Sequence, residues 1–348
     1  MTSFSSLNQL GWQPVFQQQL TLDDYENTHI ARIAEHHRSQ FVLVSESGTT
    51  PLEIHPSFPS MTVGDWVLLD DTGQFLRLLD RQSLFARKAA GSKVKEQLIA
   101  ANVDTAFIVC ALDNDFSLNR IERYLAMCSE ADVEPVVILT KRDLVDEDTM
   151  YDRKQSVEAL SPLLYVEAVN GLDASTIDTL KPWLKQGKTL VVMGSSGVGK
   201  STLANTLMGD DVQATGGIRE SDSKGRHTTT SRSLHCLPSG AVLLDTPGMR
   251  ELQIFDTEEG ISNVFADIKE LEAQCRFSDC QHHNEPGCAI QAALKAGTID
   301  ERRLNNYQKL QREDARNSAT IATKRAKDKA FTQMVYDIQK QNRKNKGF

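Results

Sequence analysis

No stretch of eighteen consecutive apolar residues occurs in the 348-residue chain, so no helix of it is expected to cross a membrane. The first twenty residues lack the basic start and apolar core of a secretory signal; they are polar and rich in Gln. A cytoplasmic protein is therefore expected. Compositional extremes are missing too. Hydrophobic residues make up 40% and charged residues 25%, which excludes fibrous and disordered classes and leaves globular protein of two or three domains. Cysteines number only six, and three of them fall between positions 275 and 288 beside histidines. That clustering favours a metal over a disulfide framework. Net charge changes sign near the end of the chain. Residues 302–348 hold thirteen Lys/Arg against four Asp/Glu, net +9; the whole chain carries −8, so the rest carries −17. A basic tail on an acidic body points to a polyanion partner such as RNA.

What is present is led by Gly194-Ser195-Ser196-Gly197-Val198-Gly199-Lys200-Ser201, which fits G-x-x-x-x-G-K-[ST]. The run 188–193 before it reads as a buried strand, and 201–208 after it reads as a helix. Glycines let backbone N–H groups turn toward phosphate oxygens, and the helix N-terminus adds partial positive charge. Lys200 can reach the β- and γ-phosphates, and the Ser201 hydroxyl can ligate Mg²⁺. The stretch from Gly194 to Thr202 is expected to cradle a nucleoside triphosphate.

Taken from its start, the chain opens with residues 1–30, of low apolar density and no periodicity, expected as a flexible leader. Five short strands are expected within 31–100, separated by turn signals at Ser47-Gly48, Pro56, Val63-Gly64 and Thr72-Gly73. Their number and spacing fit a small β-barrel, with a five-stranded oligonucleotide-binding (OB-fold) barrel as the natural candidate. Arg87-Lys88 and Lys93 to Lys95 are expected in a basic connecting loop. From 101 the pattern alternates between buried strands and amphipathic helices, which means a parallel α/β sheet. Such sheets bind ligands beyond the carboxyl ends of their strands.

Thr140-Lys141-Arg142-Asp143 sits at one such end and fits T-K-x-D, a variant of the guanine-reading N-K-x-D signature. The Asp143 carboxylate can accept from guanine N1–H and the 2-amino group; adenine offers neither, and would leave the carboxylate unpaired. The Lys141 stem can lie on the base plane. Asp245-Thr246-Pro247-Gly248 follows another apolar run and fits D-x-x-G, with Asp245 holding Mg²⁺ through water and the Gly248 N–H facing the γ-phosphate. Between these motifs, Thr215 to Ser231 reads as a loop in which one of Thr228, Thr229 and Thr230 can complete the Mg²⁺ shell.

Ras-like GTPases run from the phosphate loop to the base-reading motif. Here the base motif comes first, the phosphate loop second and D-x-x-G last. Cutting and rejoining a Ras-like chain gives that order and keeps each site at a strand end. Beyond Gly248 comes Cys275-x4-Cys280-x-His282-x5-Cys288, three thiolates and an imidazole, a closed tetrahedral Zn²⁺ set of structural type. On spacing alone His283 rivals His282. Helices are expected at 261–274 and 289–297, with the basic region 300–346 continuing as helix.

Together these motifs resemble the bacterial small-ribosomal-subunit biogenesis GTPases (RsgA-type), a circularly permuted GTPase family. The resemblance covers about residues 30–310 and includes Gly225-Arg226-His227-Thr228-Thr229-Thr230. It implies an OB-fold barrel at 31–100, a permuted P-loop GTPase domain at 101–255 and a helical zinc-binding domain at 256–315; the basic helical tail expected at 316–348 lies beyond the match. It also implies GTP hydrolysis stimulated by the small subunit during late maturation, with rRNA and GTP/GDP as partners and no membrane. A monomer is expected. By the resemblance the zinc ligands are Cys275, Cys280, His282 and Cys288. Met249 stands where a Ras-like Gln would orient the attacking water, and the resemblance assigns that work to His227 beside Lys200. Ala168 is the best match to the loop that supports the base.

Overall fold

The computed structural model describes residues 6–88, 96–209, 232–245, 257–283, 285–315 and 317. Two compact units are present. The first comprises Met1–Ala86, Leu98–Leu252 and Glu259–Ala266; the second comprises Arg87–Gln97, Gln253–Glu258 and Asp267–Phe348.

The first unit begins with two short helices, α1 (Pro14–Gln17) and α2 (Leu22–Asn27). Five strands follow: β1 (His29–His36), β2 (Gln40–Ser45), β3 (Gly48–Glu53), β4 (Trp66–Leu69) and β5 (Phe75–Leu78). They pair antiparallel in the order β3-β2-β1-β4-β5, with a register shift in β1 between Ile33 and Glu35. A β3–β5 pairing that would close a barrel is not among those of the described residues. Where the sequence suggests only a basic loop, β6 (Leu84–Lys88) and β7 (Glu96–Ala101) pair as a separate ribbon.

The flexible leader expected at 1–30 is corrected for the described part, 6–28. Leu10 and Phe16 are fully buried. The Trp12 ring meets Trp66 edge-on, with centroids 4.9 Å apart. These few apolar residues share a core with Ala34, Val44, Leu68 and Leu79. Their spacing has no helix or strand period because they fill a cavity in a neighbouring sheet rather than one face of their own element. Thr21 and Asp24 close a capping box on α2.

Arg32 ties this region to the α/β sheet. Its guanidinium is fully buried against the Trp66 ring, 5.3 Å from the centroid. It donates to the carbonyls of Leu10, Gly64 (3.1 Å) and Asn102 (3.1 Å) and to the Thr189 hydroxyl (3.0 Å). Burial lowers its pKa to about 10 against the pull of Asp104 and Asp65, so it stays charged at neutral pH. Removing the group leaves three buried carbonyls without this donor. Arg32→Met should therefore cost about 3–5 kcal/mol in urea unfolding, with faster proteolysis inside residues 6–28.

The remaining elements of the first unit alternate: β8 (Thr105–Ala111), α3 (Leu118–Glu130), β9 (Glu134–Thr140), α4 (Glu147–Glu158), β10 (Tyr165–Ala168), α5 (Ser175–Leu180), β11 (Thr189–Met193), α6 (Lys200–Met208), β12 (Arg232–Cys236) and β13 (Val242–Asp245). Their order in the sheet is β10-β9-β8-β11-β13-β12, parallel except for β12. Counted from the phosphate-loop strand β11, that is 6-5-4-1-3-2, as cutting and rejoining the chain predicts. Strand order reverses beside β11, the switch point where such sheets bind ligands. Every residue of β8 is buried because helices cover both faces. Phe107, Val109, Val136 and Ile138 pack on Leu203 and Leu207 of α6. On the other face, α3 presents Ile121, Leu125 and Cys128, whose Sγ lies 3.5 Å from Met193 Sδ. α3 stops in a left-handed turn at Asp132 (φ 56°), where the N–H groups of Asp132 and Val133 bond Ser129 and Cys128.

α7 (Glu258–Val264) packs on α3, with the Gly260 N–H 2.8 Å from the Glu130 carboxylate. α8 (Ala266–Glu272) leads into the second unit, which holds α9 (Ala289–Ala296) and α10 (301–315). Its core is small: Ile268, Ile290, Leu304, Tyr307 and Leu310 are buried. A forked ion pair at 2.9 Å from Arg303 to Asp267 fastens α10 to α8. The basic region past 317 lies outside the described residues.

Candidate nucleotide site and metal centre

β11 delivers the chain to Gly194 at the switch point. Gly194 has φ 148°, and a Cβ there would stand 2.4 Å from the Val109 carbonyl of β8, so only glycine lets the loop leave the sheet this closely. Gly199, at φ 93°, starts α6. Its first turn carries Lys200, Ser201 and Thr202, all half-buried, while Ser196 and Gly197 are exposed. The Lys200 ammonium donates to the Ser195 carbonyl, arching over its own loop.

The base motif lies beside this loop. The hydroxyl of the buried Thr140, last in β9, donates to the Val198 carbonyl at 2.6 Å. One side chain thus sets the spacing between base motif and phosphate loop. Lys141 turns left-handed (φ 59°), and Arg142–Leu144 form one 3₁₀ turn that holds Asp143 out, exposed. The Arg142 side chain is occupied elsewhere, on the Val145 carbonyl (3.1 Å) and the Glu147 carboxylate; its N–H meets Val169 O at 3.2 Å. Arg142 thus helps to hold the turn. Ala168 ends β10, and the loop after it rests on α6, where Thr206 Oγ1 donates to Gly171 O at 2.6 Å. Asp245 ends β13. Gly248, His227 and Thr228 to Thr230 lie outside the described residues.

In the second unit, the ligand atoms of Cys275, Cys280, His282 and Cys288 lie within 4.8 Å of one another. The Cys275 and Cys288 sulfurs are 3.9 Å apart and stand 3.7 and 3.6 Å from His282 Nδ1. Thiolates held about 2.3 Å from a tetrahedral Zn²⁺ stand roughly 3.8 Å apart, so the set fits that ion. His283 is exposed and outside the set; its N–H donates to Glu285 at 2.8 Å. Cys288 caps α9. Burial opposes ionisation of Cys275, but backbone N–H groups of Ala289 and Ile290 and the neighbouring thiols hold its pKa below the usual value. His282 Nε2 meets Glu272 at 3.4 Å, and Glu272 accepts from the Tyr307 hydroxyl at 2.9 Å. An outer carboxylate at Nε2 suits a histidine that offers Nδ1 to a metal.

A family model described as RsgA GTPase matches residues 78–255, and one described as 50S ribosome-binding GTPase matches 189–324. The chain is 58% identical over 344 residues to the small ribosomal subunit biogenesis GTPase RsgA 2 of Vibrio parahaemolyticus, covering 99% of this chain and 96% of that one. The chain belongs to the RsgA GTPase family. A Xylella fastidiosa RsgA is 48% identical over 302 residues, 83% of this chain and 86% of that one. YjeQ from Thermotoga maritima superposes with TM-score 0.61 at 28% identity, covering 81% of this chain and 97% of that one. YloQ, titled a circularly permuted GTPase, shares the fold with TM-score 0.53 at 20% identity, covering 81% and 93%. In this RsgA-family chain, sequence reasoning missed the residues behind the motifs. Asp113 beside Lys141 and Glu272 with Tyr307 behind His282 have no motif of their own, and the T-K-x-D pattern does not say that Thr140 reaches the Val198 carbonyl. Only the place of Asp113, just past the C-terminal end of β8 and next to β9, could signal it.

Proposed function

We propose that this chain is a GTP hydrolase acting in late maturation of the small ribosomal subunit, in the cytoplasm and as a monomer. The observation that carries the reading is the Thr140–Val198 bond, which joins a guanine-reading turn to a phosphate loop in a chain alike, over nearly its whole length, to a protein named a small ribosomal subunit biogenesis GTPase. Backbone N–H groups of Gly194 to Gly199, with Lys200, hold the β- and γ-phosphates. Ser201 and Asp245 hold Mg²⁺, which supplies charge neutralisation on the phosphates. Asp143 reads guanine, and His227 orients the attacking water. Cys275, Cys280, His282 and Cys288 hold one structural Zn²⁺. The strands at 31–78 act as an OB-type reader of rRNA, aided by the basic tail.

Slow intrinsic turnover should rise at least about tenfold on small subunits, since ordering a catalytic loop by a partner removes the cost of assembling it. His227→Ala should abolish that rise and leave nucleotide affinity near wild type. A wild-type GTPase rate unchanged by small subunits would overturn the reading.

A further inference from the structure

Asp113 lies just past β8, outside every motif, yet its Oδ2 is 2.7 Å from the Lys141 ammonium. Both side chains are about one-third exposed. Lys141 draws the Asp113 carboxyl below its usual range, as does the Asp115 N–H, which bonds the other oxygen at 2.9 Å. The backbone beneath is fixed as well. The Leu112 N–H bonds Thr140 O at 2.9 Å, and Arg153, from α4, donates to the Asp113 carbonyl at 3.0 Å while lying over the Phe116 ring. The carboxylate is therefore held on a rigid strand end, one strand from the turn that carries Lys141 and Asp143.

A lysine stem is the most rotamer-rich wall a base can be given, and fixing it on binding costs entropy. A carboxylate that already holds the ammonium removes most of that cost and leaves the stem extended as a plane. It also cancels the lysine charge locally, so the phosphate end keeps the dominant positive field at Lys200. From this geometry we infer that Asp113 is a positioning residue for the base site, acting through Lys141 to set nucleotide affinity. The inference rests on the reading of Lys141 and Asp143 as the guanine-binding pair.

The test is binding of N-methylanthraniloyl-GDP to the full chain, with GTP turnover alongside. Asn keeps the size of Asp113 and an acceptor for the Asp115 N–H, and thermal unfolding checks that the variant is folded. Asp113→Asn should weaken binding about five- to twentyfold, the loss falling on KM rather than kcat, as removal of a charge-assisted bond implies. In a Lys141→Ala background the same change should cost nothing further, because the group it positions is gone. A merely structural role predicts the full factor in both backgrounds. Unchanged or tighter binding by Asp113→Asn, or an additive double variant, overturns the inference. Asp143→Asn on the same probe separates the two claims: if it leaves GDP affinity intact, the base-site reading itself fails.

Discussion

Asp143→Asn is expected to move the preference of the enzyme from GTP to XTP. The 3₁₀ turn holds Asp143 exposed at the end of β9, so its carboxylate stands free to meet a base. With guanine it accepts from N1–H and from the 2-amino group. Each charge-assisted bond is worth about 1.5–3 kcal/mol, so losing both weakens GTP by roughly 10²- to 10⁴-fold. Asn is worse than a mere loss, since its amide N–H faces the guanine amino group donor to donor. Xanthine carries a carbonyl at that position, which accepts from the same amide. KM for GTP should rise by that factor while XTP becomes the better substrate, and ATP should serve neither form. Stability should change little, within about 0.5 kcal/mol, because the side chain is on the surface. A KM for GTP that does not move would show that the turn reads something other than guanine.

Legibility in the sequence followed how local each signal was. The phosphate loop, the T-K-x-D turn and the Cys/His spacing are local, because backbone approach to a phosphate or a metal dictates residue types within a few positions. The permuted order was legible for the same reason, and the observed strand order 6-5-4-1-3-2 agrees with it. What failed was decided at a distance. Leu10, Trp12 and Phe16 have no period because their partners are Trp66 and Leu68, some fifty residues on. β12 was missed because Arg232-Ser233-Leu234-His235-Cys236 alternates weakly; its partner β13 makes it a strand. The Asp113–Lys141 contact spans twenty-eight positions and needs the β8–β9 register, Ala111 opposite Thr140, to exist at all. Arg32 is the extreme case: a charged residue in a strand pattern reads as solvent-facing, and only four acceptors from separate segments make its burial tolerable.

If the proposed zinc is bound, stripping it is expected to unfold the part of the second unit around Cys275 to Cys288. Few large apolar side chains are buried there, chiefly Ile268, Ile290, Leu304, Tyr307 and Leu310. A structural zinc contributes about 10–16 kcal/mol at neutral pH, comparable to or larger than the whole stability of a typical domain. Incubation with a strong chelator should therefore lower helicity, through loss of α9 and α10, and expose three further thiols to a chromogenic disulfide. Cys110 and Cys128, buried in the first unit, should stay unreactive under the same conditions. Cys288→Ser should reproduce the loss without chelator, since it removes a thiolate while the serine hydroxyl can still cap α9. A graded version comes from the outer shell. Glu272→Gln keeps the shape but weakens the hold on His282 Nε2, and should cost about 10- to 100-fold in zinc affinity measured by chelator competition. Tyr307→Phe should cost less, because Glu272 still faces the imidazole. Helicity and thiol reactivity that ignore the chelator would mean that the four side chains are gathered by packing alone. In that case S–H donors would bridge the sulfurs and the imidazole nitrogen at 3.6–3.9 Å, and the zinc reading would fall.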